Sequence, residues 1–250
     1  MSSVGTTDLS QIDVAVLAGG LGTRLRSVLP DRPKVLAPVD GRPYLDFLLD
    51  WLVCAGFRRV VLCLGYRADA VQVHLSAFPR ADLTVDIVIE PAPAGTAGAL
   101  RHAAPALRSD PVMVMNGDSF VDGNLRDFVA AHQARRPVAS ILCAEVADAS
   151  RYGRIDLTAD GLVRQFAEKD PAVHGPGLIN AGVYLFATPI LEEIAKNQAE
   201  SLERDVFPSL VSRGVHGQVT AGTFLDIGTP ESLEAAPRIL SRYRKMGGWA

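Results

Sequence analysis

Apolar residues in the first 145 positions fall into short continuous runs that alternate with stretches of helical spacing. The continuous runs cover residues 13–18, 58–64, 83–89, 111–116 and 138–145. From Leu45 onward, leucines recur at the i, i+3, i+4, i+7 spacing, which predicts a helix with one buried face over 43–55. Because short buried strands that alternate with helices form parallel sheets, we expect an α/β fold. It should be a Rossmann-like open, mostly parallel sheet with helices on both faces.

Polar residues indicate the start of two further helices. After residue 150, the alternation of strands and helices ends. Thr96 can cap a helix that runs to about Leu107, and Asn124 can cap one that runs to about Arg135. Short strands are then predicted at 152–157, 162–167 and 178–186, and helices at 188–196, 202–212 and 230–243. A small β-rich part is therefore expected to follow the α/β part.

The length of 250 residues suits one domain, which we predict over residues 11–245. Residues 1–10 are polar and lack the apolar segment of a signal peptide, so a disordered leader is expected there. The chain has 25 basic and 28 acidic residues, which gives no basic field for nucleic acid. No apolar run is long enough to predict a membrane span.

The three cysteines, Cys54, Cys63 and Cys143, have no metal-ligand spacing. Free cysteine behaves as a small apolar residue, so we expect all three to be buried. An odd number of unpaired thiols is typical of a reducing compartment, which favours a cytoplasmic protein.

The first predicted strand leads into a loop rich in glycine. The loop reads Leu17-Ala18-Gly19-Gly20-Leu21-Gly22-Thr23-Arg24-Leu25, and Lys34 follows ten residues after Arg24. Glycines let backbone N–H groups approach an anion, and successive N–H groups form a phosphate-binding concavity. The carboxyl end of the first strand of an α/β sheet is also where nucleotides bind. The spacing fits neither a P-loop nor a dinucleotide fingerprint, so we expect a phosphate loop of another type.

Two aspartates follow predicted strands in similar settings. Asp118 comes after an apolar strand and the turn Asn116-Gly117, and Asp226 comes after a short apolar run and precedes Gly228. Carboxylates at the carboxyl ends of strands face the ligand crevice of an α/β sheet. Two such groups can share one Mg²⁺ that keeps water and substrate phosphates as its other ligands. The pattern leaves two interpretations open: a shared magnesium site next to the phosphate loop, or two aspartates that each cap a turn.

Further motifs accompany the loop in a recognisable order. They are Glu90-Pro91 with Gly95-Thr96-Ala97-Gly98-Ala99-Leu100, Asn116-Gly117-Asp118-Ser119, Arg151-Tyr152-Gly153, Glu168-Lys169, Ile179-Asn180-Ala181-Gly182-Val183-Tyr184 and Asp226-Ile227-Gly228-Thr229-Pro230. Together with the loop, they cover about residues 13–240 and resemble the sugar-1-phosphate nucleotidylyltransferases. The resemblance implies a GT-A-like form of the Rossmann sheet. It also implies an enzyme that joins the nucleoside monophosphate of a triphosphate to a sugar 1-phosphate and releases pyrophosphate.

The same resemblance implies a role for each matching residue. The catalytic residues would be Arg24, Lys34, Asp118 and Asp226, with the two aspartates as ligands of Mg²⁺. The nucleotide would be bound by Leu17, Gly19, Gly20, Gly22, Thr23, Glu90, Gly95, Thr96 and Asn116. The sugar phosphate would be bound by Gly153, Glu168, Lys169 and Asn180. The nucleotide-binding half would thus span about 11–145, and the sugar-binding half about 146–245.

Several strings favour one branch of this family. Those around Ser27, Arg151-Tyr152-Gly153 and Ser201-Leu202-Glu203 resemble the D-glycero-α-D-manno-heptose 1-phosphate guanylyltransferases. Such a branch implies GTP and a heptose phosphate as substrates, and GDP-heptose for bacterial capsule or surface glycans. Another triphosphate, a mannose-1-phosphate guanylyltransferase, a uridylyltransferase and an inactive sugar-nucleotide sensor stay open as alternatives. A homo-oligomer and the roles of Glu203 and Asp205 are equally open.

Overall fold

Thirteen strands and seven α-helices build the part of the chain that the computed structural model describes, residues 7–25, 28–167 and 174–243. The strands are β1 (Asp13–Leu17), β2 (Pro38–Val39), β3 (Arg42–Pro43), β4 (Arg59–Leu64), β5 (Thr84–Ile89), β6 (Val112–Asn116), β7 (Ser119–Val121), β8 (Ala139–Val146), β9 (Arg154–Leu157), β10 (Val163–Ala167), β11 (Gly177–Phe186), β12 (Val215–Thr220) and β13 (Phe224–Asp226). The helices are α1 (Tyr44–Ala55), α2 (Ala68–Ala77), α3 (Gly95–Ala103), α4 (Leu125–Arg135), α5 (Thr188–Lys196), α6 (Phe207–Leu210) and α7 (Pro230–Leu240). A π-helical turn, Leu202–Val206, directly precedes α6.

One large sheet runs in the order β5-β4-β1-β6-β11-β8-β12. Strand β1 pairs in parallel with β4 and β6, β4 with β5, and β8 with β12. Strand β11 pairs antiparallel with both β6 and β8, so it alone runs against the other strands of this row. The antiparallel pair β9–β10 joins the first half of β11, and two ribbons, β2–β3 and β7–β13, lie outside the sheet. The predicted Rossmann-like, mostly parallel open sheet is confirmed.

The core lies on both faces of this sheet because successive side chains of a strand point to opposite sides. On β1, Val14 and Val16 pack into the layer that holds α1, α4 and α7. Ala15 lies between them in sequence and packs into the opposite layer, which holds α3, α5 and α6. All three residues have no exposed surface. A strand buried on both faces must be apolar throughout, which explains the continuous runs in the sequence.

The five predicted apolar runs correspond to β1, β4, β5, β6 and β8. The predicted cap at Asn124 is confirmed, because its Oδ1 accepts hydrogen bonds from the N–H groups of Arg126 and Asp127 at 3.1 and 3.2 Å. Helix α2 and the strands β2, β3, β7 and β12 were not predicted. Their segments lack the sustained apolar spacing on which the predictions depend.

The structure also describes the three cysteines and part of the N-terminal segment. Cys63 and Cys143 are buried in strands, but the prediction of burial is wrong for Cys54, which lies on the exposed side of α1. A short turn at Leu9–Gln11 falls inside the stretch for which the sequence predicts disorder, and Leu9 packs into the core with 1% of its surface exposed. Among the described residues, no helix is long and apolar enough to cross a membrane.

The parallel strands place the ends of β1, β4, β5 and β6 at one edge of the sheet. Leu17, the last residue of β1, stands in register with Cys63 of β4 and with Asn116 of β6. The loops that leave these strands therefore meet at this edge. It is the place where α/β sheets bind ligands.

Candidate active site

The loop after β1 is fixed to its neighbours by backbone hydrogen bonds. Ala18 N donates to Cys63 O at 2.8 Å, and Gly117 N donates to Leu17 O at 2.8 Å. A Cβ on Gly117 would lie 2.9 Å from Leu17 O, so only glycine allows these two chain segments to approach so closely. The loop therefore leaves the sheet in a defined direction and forms one wall of a cavity.

The cavity has a volume of about 380 Å³. Twelve of the residues predicted for the site line it: Leu17, Gly19, Gly20, Gly22, Thr23, Arg24, Lys34, Glu90, Gly95, Thr96, Asn116 and Asp118. It also contacts residues for which no role was predicted: Ala18, Leu21, Val35, Pro93, Ala99, Gly117 and Gly228. A volume in the usual range of ligand pockets, with glycines on one wall, suits a nucleotide.

Glu90 lines this cavity, and its carboxylate lies next to the backbone of Gly19 and Gly65. A Cβ on Gly19 would overlap Glu90 Oε1, and a Cβ on Gly65 would lie 2.5 Å from the same atom. Partial burial raises the pKa of the Glu90 carboxyl, while the N–H of Ala94, which donates to Oε2 at 3.4 Å, opposes this rise. The two glycines thus make room for a carboxylate within a site whose other groups suit an anion. Gly65 was missed by the sequence analysis because it belongs to none of the motifs.

The catalytic lysine and aspartates that the sequence predicts do come together. Lys34 Nζ lies 2.6 Å from Asp118 Oδ2 and 3.8 Å from Asp226 Oδ1. The side chains of Lys34 and Asp226 are 11% and 12% exposed, whereas that of Asp118 is 39% exposed. Charges this close in a partly buried place attract strongly, so the ammonium holds both carboxylates at the mouth of the cavity.

Strand pairing explains how Asp226 reaches Asp118. Asp226 ends β13 and stands opposite Ser119 of β7, and Ile227 N donates to Asp118 O at 3.0 Å. Gly228 N donates to Asp226 Oδ1 at 2.7 Å, which fixes the orientation of that carboxylate. A Cβ on Gly228 would lie 2.6 Å from this oxygen.

Two arginines flank the pair of aspartates. A guanidinium nitrogen of Arg24 would lie 3.2 Å from a Cβ on Gly228, so the absence of a side chain at Gly228 leaves space for Arg24 beside the carboxylates. Arg151 has a guanidinium nitrogen 3.6 Å from Asp226 Oδ2. Cations and carboxylates thus lie together at the mouth of the cavity, an arrangement suited to phosphate groups and a divalent ion.

Tyr44 lies beneath the same carboxylates. Its side chain is fully buried, and its hydroxyl has no hydrogen-bond partner among residues 7–25, 28–167 and 174–243. Burial raises the pKa of Tyr44 well above its usual value, and the charges of Asp118 and Asp226 raise it further. This tyrosine therefore stays a neutral hydroxyl next to the two acids.

Two of the residues predicted to bind the sugar, Gly153 and Asn180, are not among those that line the cavity. Asn180 N donates to Gly153 O at 3.0 Å, which joins these two residues. The carboxamide of Asn180 is engaged within the protein, since Oδ1 accepts from Gly182 N at 2.9 Å and Nδ2 donates to Tyr184 Oη at 2.8 Å. One proton and one lone pair of the carboxamide are left for a ligand. Glu168 and Lys169, the other predicted sugar-phosphate residues, lie outside the described residues.

Thr96 does not cap α3 as the sequence predicts. The N-terminal cap position is Ala94, which makes no side-chain capping bond. The hydroxyl of Thr96 instead accepts from Leu202 N at 2.8 Å and donates to Glu203 Oε2 at 2.8 Å. The prediction is wrong because a partner more than 100 residues away in sequence competes for this hydroxyl, and local spacing cannot reveal such a contact.

Among the described residues, no cluster of three or more His, Cys, Asp or Glu side chains able to hold a metal ion occurs. The pair of Asp118 and Asp226 converges on a single cation, the ammonium of Lys34. Two carboxylates with space for further oxygen ligands match the way in which proteins hold Mg²⁺ together with phosphates.

An α/β sheet with a glycine-lined cavity at its edge, and with cations and paired aspartates at the cavity mouth, is the architecture of a nucleotide-dependent transferase. A family model described as "Nucleotidyl transferase" matches residues 14–242. The chain belongs to the nucleotidyl transferase family.

The chain is similar to two groups of curated relatives. It is 33% identical over 226 residues to a mannose-1-phosphate guanylyltransferase of Mycobacterium tuberculosis, where the match covers 88% of this chain and 62% of that protein. It is 29% identical over 233 residues to a D-glycero-alpha-D-manno-heptose 1-phosphate guanylyltransferase of Aneurinibacillus thermoaerophilus, covering 93% of this chain and 100% of that protein. The chain therefore spans less than two thirds of the first relative but the whole of the second.

A solved structure agrees with these matches. The crystal structure of HddC from Yersinia pseudotuberculosis superposes with a TM-score of 0.81 at 33% identity, covering 93% of this chain and 100% of that one. The structure of HddC complexed with GMP-PN gives the same TM-score, with 91% of this chain covered and 98% of that one.

Proposed function

We propose that this protein transfers GMP from GTP to a sugar 1-phosphate, with release of pyrophosphate. The observation that carries this proposal is the position of Lys34, whose ammonium lies 2.6 Å from Asp118 and 3.8 Å from Asp226 at the mouth of the glycine-lined cavity. A cation and two carboxylates at one point suit a reaction in which one phosphate anion attacks a phosphorus atom of another. Both curated relatives described above are guanylyltransferases that act on a sugar phosphate.

The reaction needs positioning rather than a general base. An oxygen of the sugar phosphate is already ionised near neutral pH, because the second pKa of a phosphate monoester is about 6. It attacks the α-phosphorus of GTP, the bond from that phosphorus to the β-phosphate oxygen breaks, and pyrophosphate leaves with the bonding electrons. Arg24 and Lys34 reduce the repulsion between the two anions and neutralise charge on the leaving group.

Magnesium fits the residues present. Asp118 and Asp226 supply carboxylate oxygens, and Lys34 shows that both can face one cation. We propose that they hold one Mg²⁺, which supplies Lewis-acid stabilisation of phosphate oxygens when bound. Lys34 then pairs with phosphate rather than with the aspartates.

Glu90 supports guanine as the base. Its carboxylate lies in the inner wall of the cavity, where a negative group would repel phosphate. Guanine presents two adjacent donors, N1–H and the exocyclic amino group, and a carboxylate accepts hydrogen bonds from both. Uracil has a single N–H between two carbonyl groups, so it cannot satisfy both carboxylate oxygens.

For the sugar, we propose D-glycero-α-D-manno-heptose 1-phosphate, and therefore GDP-heptose as product. Support comes from the relative matched over its whole length and from the string Ser201-Leu202-Glu203. GDP-heptose would serve bacterial capsule or surface glycan synthesis. The buried free thiols of Cys63 and Cys143 accord with a reducing cytoplasm as the place of reaction. Mannose 1-phosphate is the second candidate, favoured by the relative from Mycobacterium tuberculosis.

A substrate panel tests the proposal. GTP, UTP, ATP and CTP are each combined with heptose, mannose and glucose 1-phosphates, and pyrophosphate release is followed with added Mg²⁺. We expect the highest kcat/KM for GTP with the heptose phosphate. A preference for UTP would refute guanylyl transfer, and a preference for mannose 1-phosphate would refute the heptose assignment. Tight binding of a GDP-sugar without pyrophosphate from any pair would indicate an inactive sensor.

A further inference from the structure

The carboxylate of Glu203 lies between the two halves of the site. Its Oε1 accepts from Tyr184 Oη at 3.0 Å, and its Oε2 accepts from the hydroxyls of Thr96 and Ser201 at 2.8 and 3.1 Å. Glu203 is half-buried and belongs to the π-helical turn Leu202–Val206, a rare conformation that is frequent at functional sites. The reaction outlined above does not use this residue.

The hydrogen-bond directions around Tyr184 follow from Glu203. A carboxylate only accepts, so the hydroxyl proton of Tyr184 must point to Glu203. The lone pairs of Tyr184 Oη are then free to accept, and one of them accepts from Asn180 Nδ2 at 2.8 Å. Tyr184 is fully buried, so water cannot replace any of these partners.

This arrangement fixes the carboxamide of Asn180. Its Nδ2 faces Tyr184, and its Oδ1 accepts from Gly182 N at 2.9 Å. A flipped carboxamide would place Oδ1 against a hydroxyl whose proton is already used, and would place Nδ2 against an N–H group. Both hydrogen bonds would be lost, so only one orientation is stable.

Asn116 supplies a polar atom on the nucleotide side, its carboxamide oxygen Oδ1. This oxygen is buried and has no hydrogen-bond partner among the residues that the structure describes, and Asn116 lines the cavity. Gly182 permits the close packing, since a Cβ there would lie 2.8 Å from Asn116 Nδ2. An unsatisfied buried acceptor in a ligand cavity is suited to a donor on the ligand.

We propose that Glu203 is a positioning residue for the transfer reaction. Through Tyr184 it sets the orientation of the Asn180 carboxamide, and through Thr96 it holds the first turn of α3 at the cavity. One carboxylate thereby orients polar groups toward both substrates. This inference rests on the proposed function, because it assigns the orientation of groups that face the two substrates.

Kinetics of three variants test the relay. In Glu203→Gln, the new amide competes for Tyr184 Oη, so we expect the KM for the sugar phosphate to rise about tenfold and the KM for GTP to rise less. In Tyr184→Phe we expect a similar rise. In the double variant, the KM for the sugar phosphate should not exceed that of Tyr184→Phe, since Glu203 acts on Asn180 only through Tyr184.

Glu193→Gln serves as the matched control, because Glu193 is an exposed carboxylate that pairs with Arg213 on the surface. We expect both KM values of this variant to equal those of the wild-type protein. Thermal unfolding of every variant separates positioning from folding. Additive effects in the double variant, or loss of turnover with unchanged KM for both substrates, would overturn the proposal.

A measurement without turnover separates this inference from the proposed function. The chain has four asparagines, Asn116, Asn124, Asn180 and Asn197, and ¹⁵N labelling of asparagine resolves their side-chain amides by NMR. We expect Glu203→Gln to shift the side-chain amide signal of Asn180 and to leave those of Asn124 and Asn197 unchanged. An unmoved Asn180 signal would contradict the relay. An inactive wild-type protein with the expected shifts would refute the proposed function only.

Discussion

Lys34 Nζ lies 2.6 Å from Asp118 Oδ2, although 84 residues separate the two in sequence. Lys34 follows the glycine loop, whereas Asp118 follows strand β6. The pairing exists because parallel strands bring their carboxyl ends to one edge of the sheet, and the phosphate loop folds over that edge. The same ammonium faces Asp226 at 3.8 Å, so three charged groups from distant segments meet at one point.

The two aspartates should be essential for turnover. We expect Asp118→Asn and Asp226→Asn each to lower kcat by about 100-fold or more, because each removes a carboxylate from the proposed ion site. Pyrophosphate release measures the loss, and circular dichroism checks the fold. Asp156→Asn is the control. Asp156 is exposed, does not line the cavity, and pairs with Arg164 at a distance of 3.5 Å. Turnover like that of the wild-type protein in both variants would contradict the assignment.

Gly19 should not tolerate a side chain. A Cβ on Gly19 would overlap Glu90 Oε1. We expect Gly19→Ala to displace Glu90 and to raise the KM for GTP about tenfold, measured by pyrophosphate release at varied GTP concentration. A KM equal to that of the wild-type protein would show that the Glu90 carboxylate is not held in this place when GTP is bound.

Glu90 should determine the preference for guanine. Inosine triphosphate lacks the exocyclic amino group, so it can give the carboxylate only one hydrogen bond. We expect the wild-type protein to favour GTP over inosine triphosphate by about 10-fold or more in kcat/KM, and Glu90→Gln to lose most of this preference. Glu192→Gln, on the exposed side of α5, should keep it. An unchanged ratio in Glu90→Gln would place recognition of the amino group elsewhere.

His132 should make the protein less stable in mild acid. Burial lowers the pKa of His132 to about 4, and its Nδ1 lies 2.8 Å from Ser140 Oγ. Between the unfolded pKa of about 6.5 and this folded value, the unfolded chain binds the proton more readily, so stability falls as pH falls through that window. We expect a loss of about 2 kcal/mol between pH 7 and pH 5 from this group.

Urea unfolding at both pH values measures this contribution. His132→Gln removes the titration, so its unfolding free energy should depend on pH by about 2 kcal/mol less than that of the wild-type protein. Equal pH dependence in the wild-type protein and His132→Gln would show that His132 titrates alike in both states.

The sequence determined the strands of the sheet centre because strands buried on both faces must be apolar at every position. It also indicated the glycine loop and its cations, because a phosphate-binding turn depends on residues close together in the chain. Strand β12 and the pairing of β7 with β13 were not predicted, since both depend on partners elsewhere in the fold. The ribbon β7–β13 is what brings Asp226 beside Asp118.

Only the tertiary structure decided which polar groups orient one another. Threonine often caps helices, yet the hydroxyl of Thr96 donates to Glu203 and accepts from the N–H of Leu202. Glu203 could not be assigned from the sequence, and in the fold it fixes Tyr184, which in turn fixes the Asn180 carboxamide. Residue types and local spacing specify strands and loops through short-range sterics and burial. Hydrogen-bond direction across the site is instead set by groups that meet only after the chain has folded.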